Sequence, residues 1–144
     1  MATWYLGKIR YQKEDEAGSL KTINEEYLID SVSYTEAEAR MFEIVASNTP
    51  DFELVKLTKM RLSEVFLVEN GSETWYKCKV QYISFDEKTQ KDKKIPHLML
   101  INAETPKDAY EALVVNLGKF NDYHITDLNI TTILEVYPYE QRND

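Results

Sequence analysis

A single cysteine, Cys78, leaves this chain with no partner for an intrachain disulfide and no thiolate cluster of the kind a zinc site needs. Glycine and proline are scarce too, at four each. So few breakers argue against a long disordered region, and no Gly-rich phosphate loop follows a strand. The G-x-S-x-G elbow and the H-E-x-x-H pair are both missing. The two histidines, His97 and His124, stand one in each half, with no third ligand at helical or short-loop spacing. The expectation is a non-enzymatic protein with no catalytic residues, no metal and no cofactor. No stretch approaches ~18 consecutive apolar residues, so no membrane span is expected. Charges begin at Lys8, unlike a signal peptide, which points to a reducing, cytoplasmic setting.

Acid and tyrosine are what the chain has in quantity. The net charge is −8, and ten of the aromatic residues are tyrosine. Tyrosine-rich strands suit sheets whose rings are buried while their hydroxyls reach water. An acidic total repels polyphosphate at long range, so nucleic-acid binding would need a local basic face.

One frame occurs twice. Thr3-Trp4-Tyr5-Leu6-Gly7-Lys8-Ile9-Arg10-Tyr11 returns 71 residues later as Thr74-Trp75-Tyr76-Lys77-Cys78-Lys79-Val80-Gln81-Tyr82, keeping T-W-Y-x-x-K-x-x-Y and both tryptophans of the chain. Residues 3–12 alternate as a strand, with Trp4, Leu6, Lys8 and Arg10 on one side and Tyr5, Gly7, Ile9 and Tyr11 on the other. A charged hairpin loop at 13–18 leads to a second strand at about 20–33. Thr35-Glu36-Ala37-Glu38 fits a capping box, opening a helix to about Ser47 with Ala39, Phe42, Val45 and Ala46 as its buried stripe. Asn48-Thr49-Pro50 stops it. A third strand region spans about 52–68, bent near Lys59-Met60-Arg61, and Glu69-Asn70-Gly71 turns the chain.

The second half repeats the order. Trp75–Phe85 is a strand, Asp86–Lys94 a long charged hairpin loop, and His97–Ile101 the second strand, with Leu100 aligned to Ile29. Thr105-Pro106-Lys107-Asp108 caps a helix carrying Ala109, Ala112, Leu113 and Asn116 or Leu117, which Gly118 ends. Leu134-Glu135-Val136-Tyr137 matches Ser63-Glu64-Val65-Phe66. The predicted fold is α+β: an internal duplication of a β-β-α-β unit, mostly antiparallel sheet with about six strands and two helices on one face. It forms a single domain over 1–144, from repeats at about 1–71 and 72–144. Ile9, Ile29, Phe42, Val45, Val65, Val80, Leu100, Leu113 and Val136 are the expected core.

With these residues in view, the whole chain resembles a domain-of-unknown-function family of small proteins from Bacteroidetes bacteria and their phages. The resemblance rests on Thr3-Trp4-Tyr5, Tyr27-Leu28-Ile29-Asp30, Thr35-Glu36-Ala37-Glu38-Ala39-Arg40, Ser63-Glu64-Val65-Phe66, Trp75-Tyr76-Lys77-Cys78-Lys79 and Phe85-Asp86-Glu87-Lys88. It brings no activity or site with it. It implies an intracellular protein, carried by a phage or mobile element.

Cys78 occupies the position of Gly7 in the other repeat, and a small residue under a packed helix explains both. Asp30, Glu64 and Glu135 lie in strands and are taken as sheet-edge charges. The remaining pattern is a face carrying Trp4, Lys8 and Arg10, with Trp75, Lys77 and Lys79 as its twin. An aromatic platform flanked by cations is what single-stranded nucleic acid binding uses, and Lys91, Lys93 and Lys94 would add phosphate contacts. The competing reading is a protein-interaction module, such as a phage-type inhibitor or assembly factor, whose acidic surface meets a basic partner. Recurrence of the Trp–Lys pattern favours single-stranded DNA. That reading requires exposed tryptophans, whereas the other tolerates buried ones. Tyrosine-rich edge strands are expected to pair chains into a homodimer.

Overall fold

The computed structural model describes residues 3–47, 49, 51–69 and 72–138. Asn48 and Pro50, the expected helix stop, and Asn70 and Gly71, the expected turn, lie outside the described residues.

Ten elements follow one another: β1 (Trp4–Glu14), β2 (Leu20–Asp30), α1 (Tyr34–Ala46), β3 (Glu53–Met60), β4 (Glu64–Phe66), β5 (Trp75–Asp86), β6 (Lys91–Asn102), α2 (Pro106–Leu117), β7 (Tyr123–Ile130) and β8 (Ile133–Tyr137). They build an α+β fold with two four-stranded sheets, ordered β3-β1-β2-β8 and β7-β5-β6-β4. In both, the long hairpin and the next strand pair antiparallel, while the fourth strand pairs parallel. Eight strands replace the six expected because the stretch at 52–68 breaks after Met60 into β3 and β4, and β7 and β8 follow the same plan.

The repeats exchange their last strands. β4, from the first repeat, pairs with β6, whereas β8, from the second, pairs with β2. One compact unit therefore takes the chain up to Arg61 and again from Thr132, and the other is Leu62–Thr131. These units do not coincide with the sequence repeats.

Register supports the duplication closely. Leu28 pairs with Val136 as Leu100 does with Val65, and Ile29 with Tyr137 as Ile101 does with Phe66. Ile29 thus corresponds to Ile101, not Leu100, because the second hairpin is one residue longer between Trp75 and Asn102 than the first between Trp4 and Asp30. β3 and β7 each carry a bulge at the same rung, opposite Lys8/Ile9 and Lys79/Val80. The stretch Asp86–Lys94 is mostly strand, with a turn only at 87–90 and Gln90 at φ 60°.

The helices correct two expectations. α1 is capped by Ser33, whose hydroxyl accepts from the Glu36 amide at 3.1 Å; Thr35 lies inside the helix. The buried stripe is Ala37, Met41 and Val45, and Phe42 faces outward, 45% exposed. α2 starts at the Thr105 cap, with Pro106 in the first turn, and ends at Gly118 with φ 73°. Its buried residues, Ala109 and Leu113, stand four and eight past the cap, as Ala37 and Met41 do past Ser33.

Each unit has its own core beneath its helix. Ile9, Ile29, Met41 and Val45 form one, joined by Tyr5, Ala37 and Leu57; Cys78, Val80, Met99, Ile101, Ala109 and Leu113 form the other, with Tyr76 and Ala103. Val65 and Val136, expected in the core, are half-buried on the short edge strands β4 and β8. Among the described residues, no helix is long and apolar enough to cross a membrane.

Candidate interaction surfaces

Alternation on β1 and β5 does place Trp4, Lys8 and Arg10 together, and likewise Trp75, Lys77 and Lys79, on the sides away from α1 and α2. The rings, however, are not available for stacking: Trp4 is 8% exposed and Trp75 4%. β1 and β5 are central strands, so each tryptophan has a neighbouring strand on both sides. Trp4 stands between Asp30 and Met60, and Trp75 between Asn102 and Thr131, whose amide and hydroxyl both donate to the Trp75 carbonyl.

The cations fare differently. Arg10, Lys77 and Lys79 are exposed and Lys8 is half-buried. Carboxylates sit opposite several of them: Glu26 across from Lys8, Glu53 across from Arg10 and Asp127 across from Lys79. Cross-strand carboxylates oppose the field a phosphate chain would need. Lys91, Lys93 and Lys94 are exposed but divided, because side chains alternate along β6: Lys91 and Lys93 share the side of α2, and Lys94 takes the other. They form no single stripe.

The remaining sequence candidates separate as well. Cys78 is fully buried, and burial pushes its thiol up to about 11, so it stays protonated at neutral pH. Gly7, at the same rung, makes room for Met41: a Cβ there would lie 2.9 Å from the Met41 sulfur, so the thioether would have to shift. His97 and His124 occupy opposite sides of the second sheet, opposite Val80 and Gln81 respectively. His97 Nδ1 lies 2.6 Å from the Ser63 hydroxyl, and its ring meets Tyr82 edge-on at 4.9 Å. The first contact holds the start of β4 against β6, and the second joins β5 to β6. Glu64 and Glu135 sit on the edge strands β4 and β8.

Two features of the first unit were not anticipated. At the far end of its core, Tyr11, Tyr27 and Tyr137 gather around Glu25 and Glu135. Tyr137 donates to Glu135, and the Tyr27 and Tyr137 rings lie 6.1 Å apart. Burial, then the neighbouring carboxylates Glu25 and Glu135, push the Tyr27 hydroxyl up to about 12. Tyr137 is raised by burial and by its bond to Glu135, and Tyr11 by its bond to Glu25. In the second unit, Glu25 is replaced by His97, and Tyr82, the counterpart of Tyr11, is raised by burial and by Glu64.

The second feature is a groove of about 470 Å³ between α1 and β3, lined by Tyr34, Glu38 and Phe42 on the helix and by residues 52–57. The helix residues recur every fourth position and so form a stripe separate from the buried one. Tyr34 is 51% exposed and Val55 38%, and Phe42 stacks at a tilt on Phe52, ring centres 5.1 Å apart. The sequence signal was there: α1 holds more apolar residues than one stripe can bury.

The family described as Domain of unknown function (DUF4494) matches residues 3–139. The chain belongs to that family. No curated protein and no solved structure matches the chain. Membership of DUF4494 covers nearly the whole chain and assigns it no activity.

Proposed function

We propose that this DUF4494 protein is a non-enzymatic interaction module that binds a basic protein partner, as a phage-type inhibitor or assembly factor in the host cytoplasm. The observation that carries it is the state of its carboxylates. Twenty-five acidic residues face 17 Lys and Arg, and among the described residues one ion pair forms, Lys21 Nζ to Asp15 Oδ2 at 4.0 Å. Close ion pairing therefore takes up little of the acid, although Asp15, Asp30, Glu25 and Glu135 are engaged by hydrogen bonds. Unpaired surface charge of one sign steers and orients a partner of the other. The single-stranded DNA reading, by contrast, loses its aromatic platforms with Trp4 and Trp75 buried.

The test sets two probes against each other at low and raised salt: an Arg/Lys-rich peptide followed by anisotropy, and oligo-dT followed by mobility shift. Saturable, salt-sensitive peptide binding without an oligo-dT shift is expected. An oligo-dT complex at micromolar concentration with no peptide binding overturns the proposal.

A further inference from the structure

We infer that the groove between α1 and β3 is where the partner docks, as a short extended segment that adds to the open edge of β3. This rests on the preceding reading and commits it to a place and a binding mode. The geometry of the lining carries the argument. Side chains alternate across a strand, so a cavity confined to one face of β3 would touch every second residue. This groove touches each residue from 52 to 57. It therefore runs along the strand's edge, where main-chain N–H and C=O groups are presented. β3 pairs with β1 on one side and with no strand on the other among the described residues. An extended segment laid there satisfies those groups and turns alternate side chains under α1.

The chemistry of the lining selects the segment. Tyr34, Phe42, Phe52, Leu54, Val55 and Leu57 offer an apolar floor for one or two anchoring side chains. Glu38, set between Tyr34 and Phe42 on the helix, and Glu53, across the ladder from Arg10, form no ion pair within 4 Å among the described residues and meet Lys or Arg flanking the anchor. The groove's one cation, Lys56, leaves it net acidic, in keeping with the whole chain. The bulge at Val55 interrupts the ladder, so a short segment fits better than the long regular edge of a second copy. The occupant is an extended partner segment with alternating apolar and basic residues.

Four labelled peptides test this: one alternating Leu/Phe with Arg, one with Glu in place of Arg, one with Ser in place of the apolar residues, and the first again with N-methyl groups on the amides of one edge. The first should bind and shift the amide resonances of β3 and α1. Each of the others should bind about tenfold or more weakly, the cost of losing a principal contact. Phe42→Ser and Glu38→Lys should weaken the first peptide similarly, while both variants keep the wild-type amide pattern of β1, β2 and the second unit, which shows that they remain folded. Arg-peptide binding that tolerates N-methylation and Phe42→Ser, or shifts that map elsewhere, overturns the docking site while leaving the acidic-module reading intact. Failure of every peptide, with an oligo-dT complex, removes that reading too. Concentration-dependent self-association abolished by Phe42→Ser also overturns the proposal, and would assign the groove to a second copy.

Discussion

Met41 and Leu113 hold the same rung in the two units, eight residues past their helix caps, yet what lies beneath them differs. Under the long thioether is Gly7, where a Cβ would push the Met41 side chain aside; the shorter Leu113 shares its core with Cys78. Each unit solves the same volume by moving a few atoms from strand to helix, as close packing demands. Along the register the frame is kept: Leu28 with Leu100, Ile29 with Ile101, bulges at one rung. Away from the helix axis the units part. Glu25 stands where His97 does, and Phe42 where Val114 does, so the tyrosine–carboxylate cluster and the aromatic groove belong to the first unit. Constraint sits under the helices, and the freedom to specialise lies around them.

Removing the indoles should give the largest effect and treat the units alike. Trp4→Ala and Trp75→Ala each empty a buried ring position and should cost about 3–5 kcal/mol of stability. Chemical denaturation measures this directly. Variants unfolding within about 1 kcal/mol of wild type would show that the rings are not core residues and would return them to the surface.

A smaller effect is expected from grafting one unit's solution onto the other. Gly7→Cys alone forces Met41 aside and should destabilise by roughly 1–3 kcal/mol, the range for overpacking. Adding Met41→Leu, which copies the pairing of the second unit, should recover part of that loss. A double variant no better than the single one would mean that Gly7 and Met41 are not coupled.

How much of this could be read in advance depends on whether a feature is local. Alternation in Trp4–Tyr11 identified which side chains share a face, and the two small residues Gly7 and Cys78 were correctly placed under helices. The Thr105 cap was legible because Pro106 and Gly118 bracket α2. At α1, Ser33 and Thr35 are both good cap residues, and only the end of β2 at Asp30 decides between them. Phe42 keeps helical spacing with Val45, so periodicity alone does not separate the stripe that faces the groove from the buried one at Ala37, Met41 and Val45. Arg40 then locks the true start in place, donating to the carbonyls of Asp30 and Pro138. The exchange of β4 and β8 left no local trace. Each is short, and its parallel partner is far away in sequence, so nothing within the strand names the sheet it joins.

The smallest effect distinguishes the tyrosine cluster from the rest of the chain, and it is silent at neutral pH. Tyr27 is raised from 10 to about 12 in the folded protein by burial first and by Glu25 and Glu135 next, because each disfavours the phenolate. The folded state therefore holds this proton more tightly than the unfolded chain does. The resulting stabilisation is fully present below pH 10, and it is lost as pH rises through about 12. Tyr137 and Tyr11 are shifted in the same direction and lose their contribution over the same alkaline side. Partial exposure of these rings screens the effect, so the change in stability should be modest. Absorbance titration of phenolate should show a late-ionising fraction in the folded protein that Tyr27→Phe reduces. Replacing Glu135 by Gln removes a carboxylate that acts on both Tyr27 and Tyr137, and should bring their ionisation earlier. Should all ten tyrosines titrate together near pH 10 in the native protein, the cluster is not assembled around Glu25 and Glu135 as described.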